Sequence, residues 1–325
     1  MKLLILNSTS PYVNLAVEEY LFNTAKEDIF MLWQNAKTVV IGKNQNAYAE
    51  LNLDYAEKNG ITVSRRITGG GAVFHDLGNV NYSYISVDDK ASDINFLPYV
   101  EPIINALKSL GVEVELSGRN DIVTKNGGKK ISGSAQHRQS GRVLHHGTLL
   151  FNSDMSVLSN VLNVDKEKLK SKAIKSVSSR VENIVNLTDK VTNVNDFITI
   201  IKNYILTNYN AEEITLDSNL EIERLTERNS SKSWLFPEKS YLSSYTFTNK
   251  KRFNAGMVEL KLNVESGVIK KAVISGDFFG ILPIEELEFL LENVKITEVA
   301  TKLEKIDVSG YISNLTASEF LSLLK

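Results

Sequence analysis

With 325 residues, 42% of them hydrophobic, the chain is long enough for one substantial core and a smaller second one. A formal net charge of −2 gives bulk electrostatics no hold on nucleic acid, and the absence of cysteine removes disulfides, thiolate metal sites and cysteine nucleophiles together. The N-terminal Met-Lys-Leu-Leu-Ile-Leu-Asn is too short an apolar run for a signal peptide, and nothing approaches the roughly 20 apolar residues of a membrane span, so a cytoplasmic protein with no membrane or nucleic-acid partner is expected.

β-Branched runs predict strands over 3–7, 29–34, 39–42 and 63–66, with helical spacing over 13–24 between the first two. Further strands follow over 72–74, 80–87, 112–116 and 121–124, and a helix over 99–109 is closed by Gly111. Segments 130–137 and 143–151 flank Gln139-Ser140-Gly141-Arg142, which predicts a hairpin, and residues 153–208 read as helical and Lys-rich. A polar break at 229–233 leads into Trp234-Leu235-Phe236-Pro237, an anchored linker. Beyond it, Val258, Leu260, Leu262 and Val264 alternate up to the Glu265-Ser266-Gly267 turn, a strand returns over 268–275, and a helix begins after Pro283 over 284–293. The expected fold class is α+β: a mixed-sheet domain over 1–238, and a small α+β accessory domain over 239–325 with two or three strands and helices on one face.

Three consecutive glycines, Gly69 to Gly71, follow Arg65 and Arg66 and precede Asn79, Asn81 and Ser83. Glycine admits positive φ and close approach of backbone N–H groups to a ligand, and the arginines add fixed charge, so the loop is a candidate phosphate cradle. It is neither a Walker loop nor Gly-x-Gly-x-x-Gly, and a plain turn would need none of the polar residues around it. His145 and His146 alternate sides on a strand and make a poor zinc chelate.

The glycine segment is followed by Gly118-Arg119-Asn120-Asp121, by Lys129-Lys130-Ile131-Ser132-Gly133-Ser134-Ala135-Gln136 and by His145-His146-Gly147-Thr148-Leu149-Leu150. With Asn14-Leu15-Ala16-Val17-Glu18-Glu19, Val39-Val40-Ile41-Gly42-Lys43-Asn44-Gln45-Asn46 and Lys175-Ser176-Val177-Ser178-Ser179-Arg180-Val181, the series resembles the lipoate-protein ligase family across nearly the whole chain. Those enzymes use ATP to attach lipoic acid to lysines of lipoyl carrier domains. The resemblance implies a catalytic domain of the biotin/lipoate ligase type, and the tail is similar to the accessory domain of the long, self-sufficient form.

It also implies roles. Lys130, rather than Lys129, is the catalytic cation: attack of a carboxylate on the α-phosphorus of ATP brings two anions together, and an ammonium on a long stem can contact both. Arg66, Thr68, Gly69, Gly70, Gly71, Ala72, Val73, Phe74, Asn79, Asn120, Asp121, Lys175 and Arg180 are the ATP and lipoyl-adenylate candidates, although Val73 and Phe74 suit a core equally. Arg66, His75, Gly133, Ala135, His146, Gly147 and Thr148 are the lipoate candidates. Asp121 is the carboxylate for Mg²⁺, which keeps waters and takes phosphate oxygens. Ser178 stands where the family often has arginine, leaving Lys175 and Arg180 as the charges of the adenylate loop; Lys166 to Lys175 also suit a solvated helix face.

The expected activity is therefore ATP-dependent formation of lipoyl-AMP and lipoyl transfer to E2 subunits of 2-oxoacid dehydrogenases or to a glycine cleavage H protein, by a monomer. Octanoate should compete, because about four methylenes contribute on the order of 3 kcal/mol whichever way the tail ends. The alternatives are a carrier-to-carrier acyltransferase, which generally uses a cysteine, a biotin ligase, whose glycine loop is richer in arginine, and a non-catalytic lipoate- or lipoyl-domain-binding relative. A hairpin centred on Ser140-Gly141 sets His146 opposite Ala135, five residues or about 17 Å from Lys130 along the strand, and requires a register shift, expected at Gly133, to bring both to one face.

Overall fold

Ser140 and Gly141 take φ of 52° and 75°, and Gln139 pairs with Arg142, so the two-residue hairpin forms where the sequence places it. The computed structural model describes residues 1–87, 94–118, 120–163, 180–240 and 245–325. Two compact units emerge: residues 1–40, 51–64 and 73–231 form the first, and 41–50, 65–72 and 232–325 the second.

Eight strands of the first unit make one mixed sheet: β1 (Lys2–Ile5), β2 (Ile29–Trp33), β6 (Asn79–Ser86), β7 (Val114–Ser117), β8 (Asp121–Thr124), β9 (Lys130–Gln139), β10 (Arg142–Leu150) and β11 (Glu212–Ile214). Their order is β11-β1-β2-β6-β10-β9-β8-β7, parallel where β1 meets β2 and β11, and antiparallel where β6, β10, β9 and β8 adjoin. A three-stranded sheet runs β4 (Thr62–Arg65), β3 (Thr38–Ile41), β5 (Val73–His75).

Strand alternation gives the large sheet two unlike faces. One presents Leu3, Phe30, Leu32, Val80, Tyr82 and Leu149, packed on α2 (Leu97–Ser109) and α3 (Val194–Asn208). The other carries Trp33, Asn79, Asn81, Ser83, His146 and Thr148, with α1 (Pro11–Thr24) against it. A further helix, α4 (Leu220–Ser230), holds α1 from outside: Arg228 pairs with Glu19, and Asn229 donates to the Tyr12 carbonyl at 3.1 Å.

Between β8 and β9 the register slips. Ile122 pairs with Ser132 and Val123 with Lys130, so Ile131 is the extra residue of a β-bulge. Without it Lys130 would share the face of Ser132 and Ser134, beneath Tyr82; with it Lys130 joins Asp121 and Gly133 on the polar face. The expected register shift exists, one turn of the pleat earlier than Gly133.

His145 points into the apolar side. It is fully buried, stacks on Tyr99 with ring centroids 5.5 Å apart, meets Phe96 edge-on, and lies 3.2 Å from Gln136 Nε2. Burial, seconded by the neighbouring His146, holds its pKa well below the usual imidazole value. Folded His145 stays neutral while the unfolded chain takes up a proton below about pH 6.5, so its contribution to stability is complete above that pH and is lost as pH falls, by up to about 1.4 kcal/mol per unit. Urea denaturation of wild type and His145→Phe at pH 7.5 and 5.5 checks this: the wild type should lose the larger fraction of its unfolding free energy, and parallel losses would remove His145 as the cause.

In the second unit β12 (Phe247–Phe253), β13 (Gly256–Glu265) and β14 (Val268–Gly276) form an antiparallel sheet in chain order. Val258, Leu260, Leu262, Ile269 and Ile274 pack on α5 (Ile284–Leu291) and on the residues that follow, including Val299, Leu303 and Phe320. The Ser266-Gly267 turn forms with φ of 49° and 76°. β12 carries no sequence signal because only Phe247 and Phe253 are apolar; its Lys250, Lys251 and Arg252 blunt the sheet edge. Short β11 and the mostly polar α4, capped by Asn219, escape the sequence reading for the same want of apolar periodicity. Of the stretch read as helical over 153–208, residues 156–161 and 194–208 are α-helix and 184–187 a 3₁₀ turn. Residues 164–179 lie outside the described residues.

Candidate active site

The first unit gathers its polar side chains on the α1 face of the large sheet. Lys130 Nζ lies 2.8 Å from Asp121 Oδ1 and folds back over Gly133, where a Cβ would stand 2.7 Å from Nζ. Gly133 is thus a space for the lysine stem rather than the site of the bulge. Neighbouring Lys129 turns away and donates to Glu182 at 2.6 Å, so one position in sequence separates two unlike lysines. The Lys130 backbone is fixed as well: its N–H donates to the Arg180 carbonyl at 2.7 Å and its carbonyl accepts from Glu182 N at 2.9 Å. Asn120 donates to the Ser134 carbonyl at 2.7 Å.

Because the ammonium lies over Gly133, its offset from Ala135 is two residues, about 7 Å along the strand, and not 17 Å. His146 does pair with Ala135. Its Nδ1 lies 2.9 Å and 3.0 Å from the two oxygens of Glu18, which also accepts from Ser83 Oγ at 2.6 Å; Trp33 Nε1 in turn donates to Ser83 Oγ at 2.8 Å. Thr148 Oγ1 accepts from Gly133 N at 3.2 Å. Gly147 sits on the opposite face, where the Tyr82 ring lies 2.6 Å from a would-be Cβ, so its lack of a side chain is a packing requirement.

His75 is buried on β5. Asn35 Nδ2 donates to its Nδ1 at 3.1 Å, and Asn14 Nδ2 donates to Asn35 Oδ1 at 2.9 Å. Asn14 and Glu18 are both fully buried and four residues apart, one face of α1, and each orients one of the two histidines. Val73 is half-buried and Phe74 buried on the same strand; Asn79 is buried on β6. The sequence reading passed over Glu18, Trp33, Asn35 and Ser83 as site residues. An amide and a carboxylate at i and i+4 on the otherwise apolar buried face of α1 were the available signal.

In the second unit the glycine loop is braced from within. Arg66 donates to the carbonyls of Gly69 and Gly71 at 2.7 Å and 2.8 Å and from Nε to Thr68 Oγ1 at 2.9 Å. Arg65 donates to five carbonyls, those of Gly42, Lys43, Gln45, Trp234 and Leu235, and burial draws its pKa down to about 10. Gly70 N donates to the Phe278 carbonyl at 3.1 Å, and a Cβ on Gly69 would meet that oxygen at 2.4 Å. The first two glycines therefore answer to backbone packing.

Gly71 differs: its φ is not positive and a Cβ would have no neighbour nearer than 4.0 Å. The two positions should behave differently. Gly70→Ala, at φ 90° and against the Phe279 ring and Arg66, is expected to cost about 1–3 kcal/mol, whereas Gly71→Ala should leave stability unchanged. Thermal unfolding of both variants decides; equal losses would remove the distinction. Ala72 is half-buried. Lys175 and Ser178 lie outside the described residues, and among those described no three His, Cys, Asp or Glu form a chelating group.

Two family models match. Residues 10–206 match the lipoyl protein ligase A/B catalytic domain and residues 243–324 the bacterial lipoate protein ligase C-terminus. Lipoate-protein ligase LplJ of Bacillus subtilis is 38% identical over 98% of both chains. The crystal structure of P. falciparum LipL1 in complex with lipoate superposes with a TM-score of 0.83 at 26% identity, covering 99% of this chain and 98% of that one. A structure from the analysis of a bi-partite lipoate protein ligase and its E2 lipoyl domain from Thermoplasma acidophilum covers only 72% of this chain but is itself 95% covered, with TM-score 0.63 and 29% identity. A lipoate-protein ligase A bound with ATP gives TM-score 0.59 at 26% identity over 72% of this chain and 98% of that one. Catalytic-domain match, C-terminal match and full-length relative agree, and the chain belongs to the lipoate-protein ligase family.

Proposed function

We propose that this chain joins free lipoate to ATP, releasing pyrophosphate, and transfers the lipoyl group from lipoyl-AMP to a carrier lysine, releasing AMP. The observation that carries the reading is the Lys130 ammonium, turned by the bulge onto the polar face and held 2.8 Å from Asp121. In the first step a lipoate carboxylate oxygen attacks the α-phosphorus, and Lys130 offsets the charge of the two anions. In the second the carrier amine attacks the acyl carbonyl and AMP leaves. ATP binding and lipoate binding accord with the ligands of the solved relatives.

The remaining assignments follow the same reading. Arg66, Thr68, Gly69, Gly70, Gly71, Ala72, Val73, Phe74, Asn79, Asn120, Asp121, Lys175 and Arg180 serve the nucleotide and adenylate. Arg66, His75, Gly133, Ala135, His146, Gly147 and Thr148 serve the acyl group, Gly147 by setting the strand that carries its neighbours. Magnesium would draw most ligands from phosphate and water, with Asp121 as the protein carboxylate once Lys130 has turned to substrate. The catalytic domain is assigned to 1–238 and the accessory domain to 239–325; a cytoplasmic monomer is assigned, with E2 lipoyl domains or a glycine cleavage H protein as acceptors. No helix among the described residues is long and apolar enough to cross a membrane.

The test is incubation with ATP, Mg²⁺, lipoate and a panel of purified lipoyl domains, read by intact mass. Pyrophosphate release with lipoate alone and a lipoylated domain in the panel are expected. Acyl exchange between carriers without ATP use would instead establish the acyltransferase reading.

A further inference from the structure

Asn79 and Asn81 stand two apart on β6, on the face of Ser83, and both are buried, at 0% and 2% exposure. Asn79 Nδ2 donates to Asn81 Oδ1 at 2.9 Å. The outer ends of the pair, Asn79 Oδ1 and Asn81 Nδ2, have no hydrogen-bond partner among the described residues. A buried amide with an unused NH₂ is costly, on the order of 1–3 kcal/mol, and rare in native folds. Asn81 caps no helix and closes no turn, so the fold offers no reason for its donor.

Its place in the sheet supplies one. Asn81 pairs with Trp33 on β2 and with Thr148 on β10, and Thr148 Oγ1 contacts Gly133, over which the Lys130 ammonium lies. Lys130, Thr148 and Asn81 thus form a row across three adjacent strands, each about 4.8 Å from the next. Two donors, an ammonium and an uncommitted amide, flank the hydroxyl of Thr148. Their strands lie two spacings or about 9.6 Å apart, a gap that a carboxyl group with a hydrogen bond at each oxygen spans once the long lysine stem leans toward Thr148.

Resting on the ligase reading, we infer that Asn81 Nδ2 donates to the acyl oxygen of the substrate: to the lipoate carboxylate in the first step, and to the carbonyl oxygen of lipoyl-AMP as the carrier amine attacks it in the second. There the oxygen gains negative charge as the C–N bond forms and gives it back as the C–O bond to phosphate breaks and AMP leaves, so Asn81 would act as an oxyanion donor beside Lys130.

The test uses the full-length chain and two variants. Asn81→Asp keeps the acceptor for Asn79 but removes the donor and sets a carboxylate against the substrate; Asn81→Leu keeps the bulk without any polar atom. Preformed lipoyl-AMP and a lipoyl domain are mixed, and transfer is followed by intact mass. Both variants are expected to transfer about 10²-fold more slowly and to show a raised KM for lipoate with an unchanged KM for ATP. Asn81→Leu also leaves Asn79 Nδ2 without its acceptor, so urea midpoints measured alongside separate a loss of fold from a loss of transfer. Wild-type transfer by both variants overturns the assignment while leaving the ligase reading intact. A wild-type chain that makes no lipoyl-AMP from lipoate, ATP and Mg²⁺ overturns both.

Discussion

Lys130→Ala is expected to lower the rate of lipoate-dependent pyrophosphate release by about 10² to 10³, the usual loss when one preorganised charge partner of a transition state is removed. The fold should barely notice. The ion pair with Asp121 is exposed on both sides, with side-chain exposures of 38% and 35%, and such pairs are worth about 0–1 kcal/mol. Asp121 can then rehydrate in place. Lys130→Arg should not restore the rate, because a planar guanidinium cannot occupy the space above Gly133 that a slender ammonium fills. Steady-state kinetics with a urea melt alongside separates these effects. An alanine variant within threefold of wild-type turnover eliminates Lys130 as the catalytic cation.

Glu18→Ala is expected to remove about 2–5 kcal/mol of stability and to raise the KM for lipoate. Glu18 is 1% exposed and accepts from two buried donors, Ser83 Oγ and His146 Nδ1. Deleting it orphans both at about 1–3 kcal/mol each and frees the Trp33 indole from the hydroxyl that holds it. Glu18→Gln keeps one oxygen where both donors converge, so it should lose less than half as much. Denaturant midpoints measure the ladder. Alanine and glutamine variants as stable as wild type would mean that the network contributes no stability.

Where one residue and its neighbours carry the information, the structure was legible in the sequence. The Ser140-Gly141 and Ser266-Gly267 turns, the closure of α2 at Gly111 and the alternating strand from Val258 all stand as read, because φ preference and period are local properties. The candidate site was legible through motifs, chiefly Lys130 and the glycine loop. What escaped depends on distant partners. Glu18 meets His146 across 128 positions, and Arg65 meets Leu235 across 170. The glycine loop belongs with residues 232–325 in one compact unit, which no linear pattern reveals. The bulge escaped its proper place because a bulge at Ile131 and one at Gly133 give the same face to Lys130, and only the pairing of Val123 tells them apart.

That bulge makes the side of the sheet on which Lys130 appears a matter of whether one residue is paired or passed over. Downstream, β9 and β10 are locked by the hairpin, so whether Ile131 is paired or bulged sets which way the ammonium faces. Were Ile131 to pair with Val123 in a straight ladder, Lys130 would swing beneath Tyr82, into an apolar layer, with every other residue of the polar face still in position; excising Ile131 would instead straighten the ladder with Lys130 still opposite Val123 on the polar face. The bulge, more than the identity of the residue in it, is thus what this strand must keep: a conservative exchange at 131 is tolerable, whereas a change that draws residue 131 into the ladder would disarm the face without dismantling it.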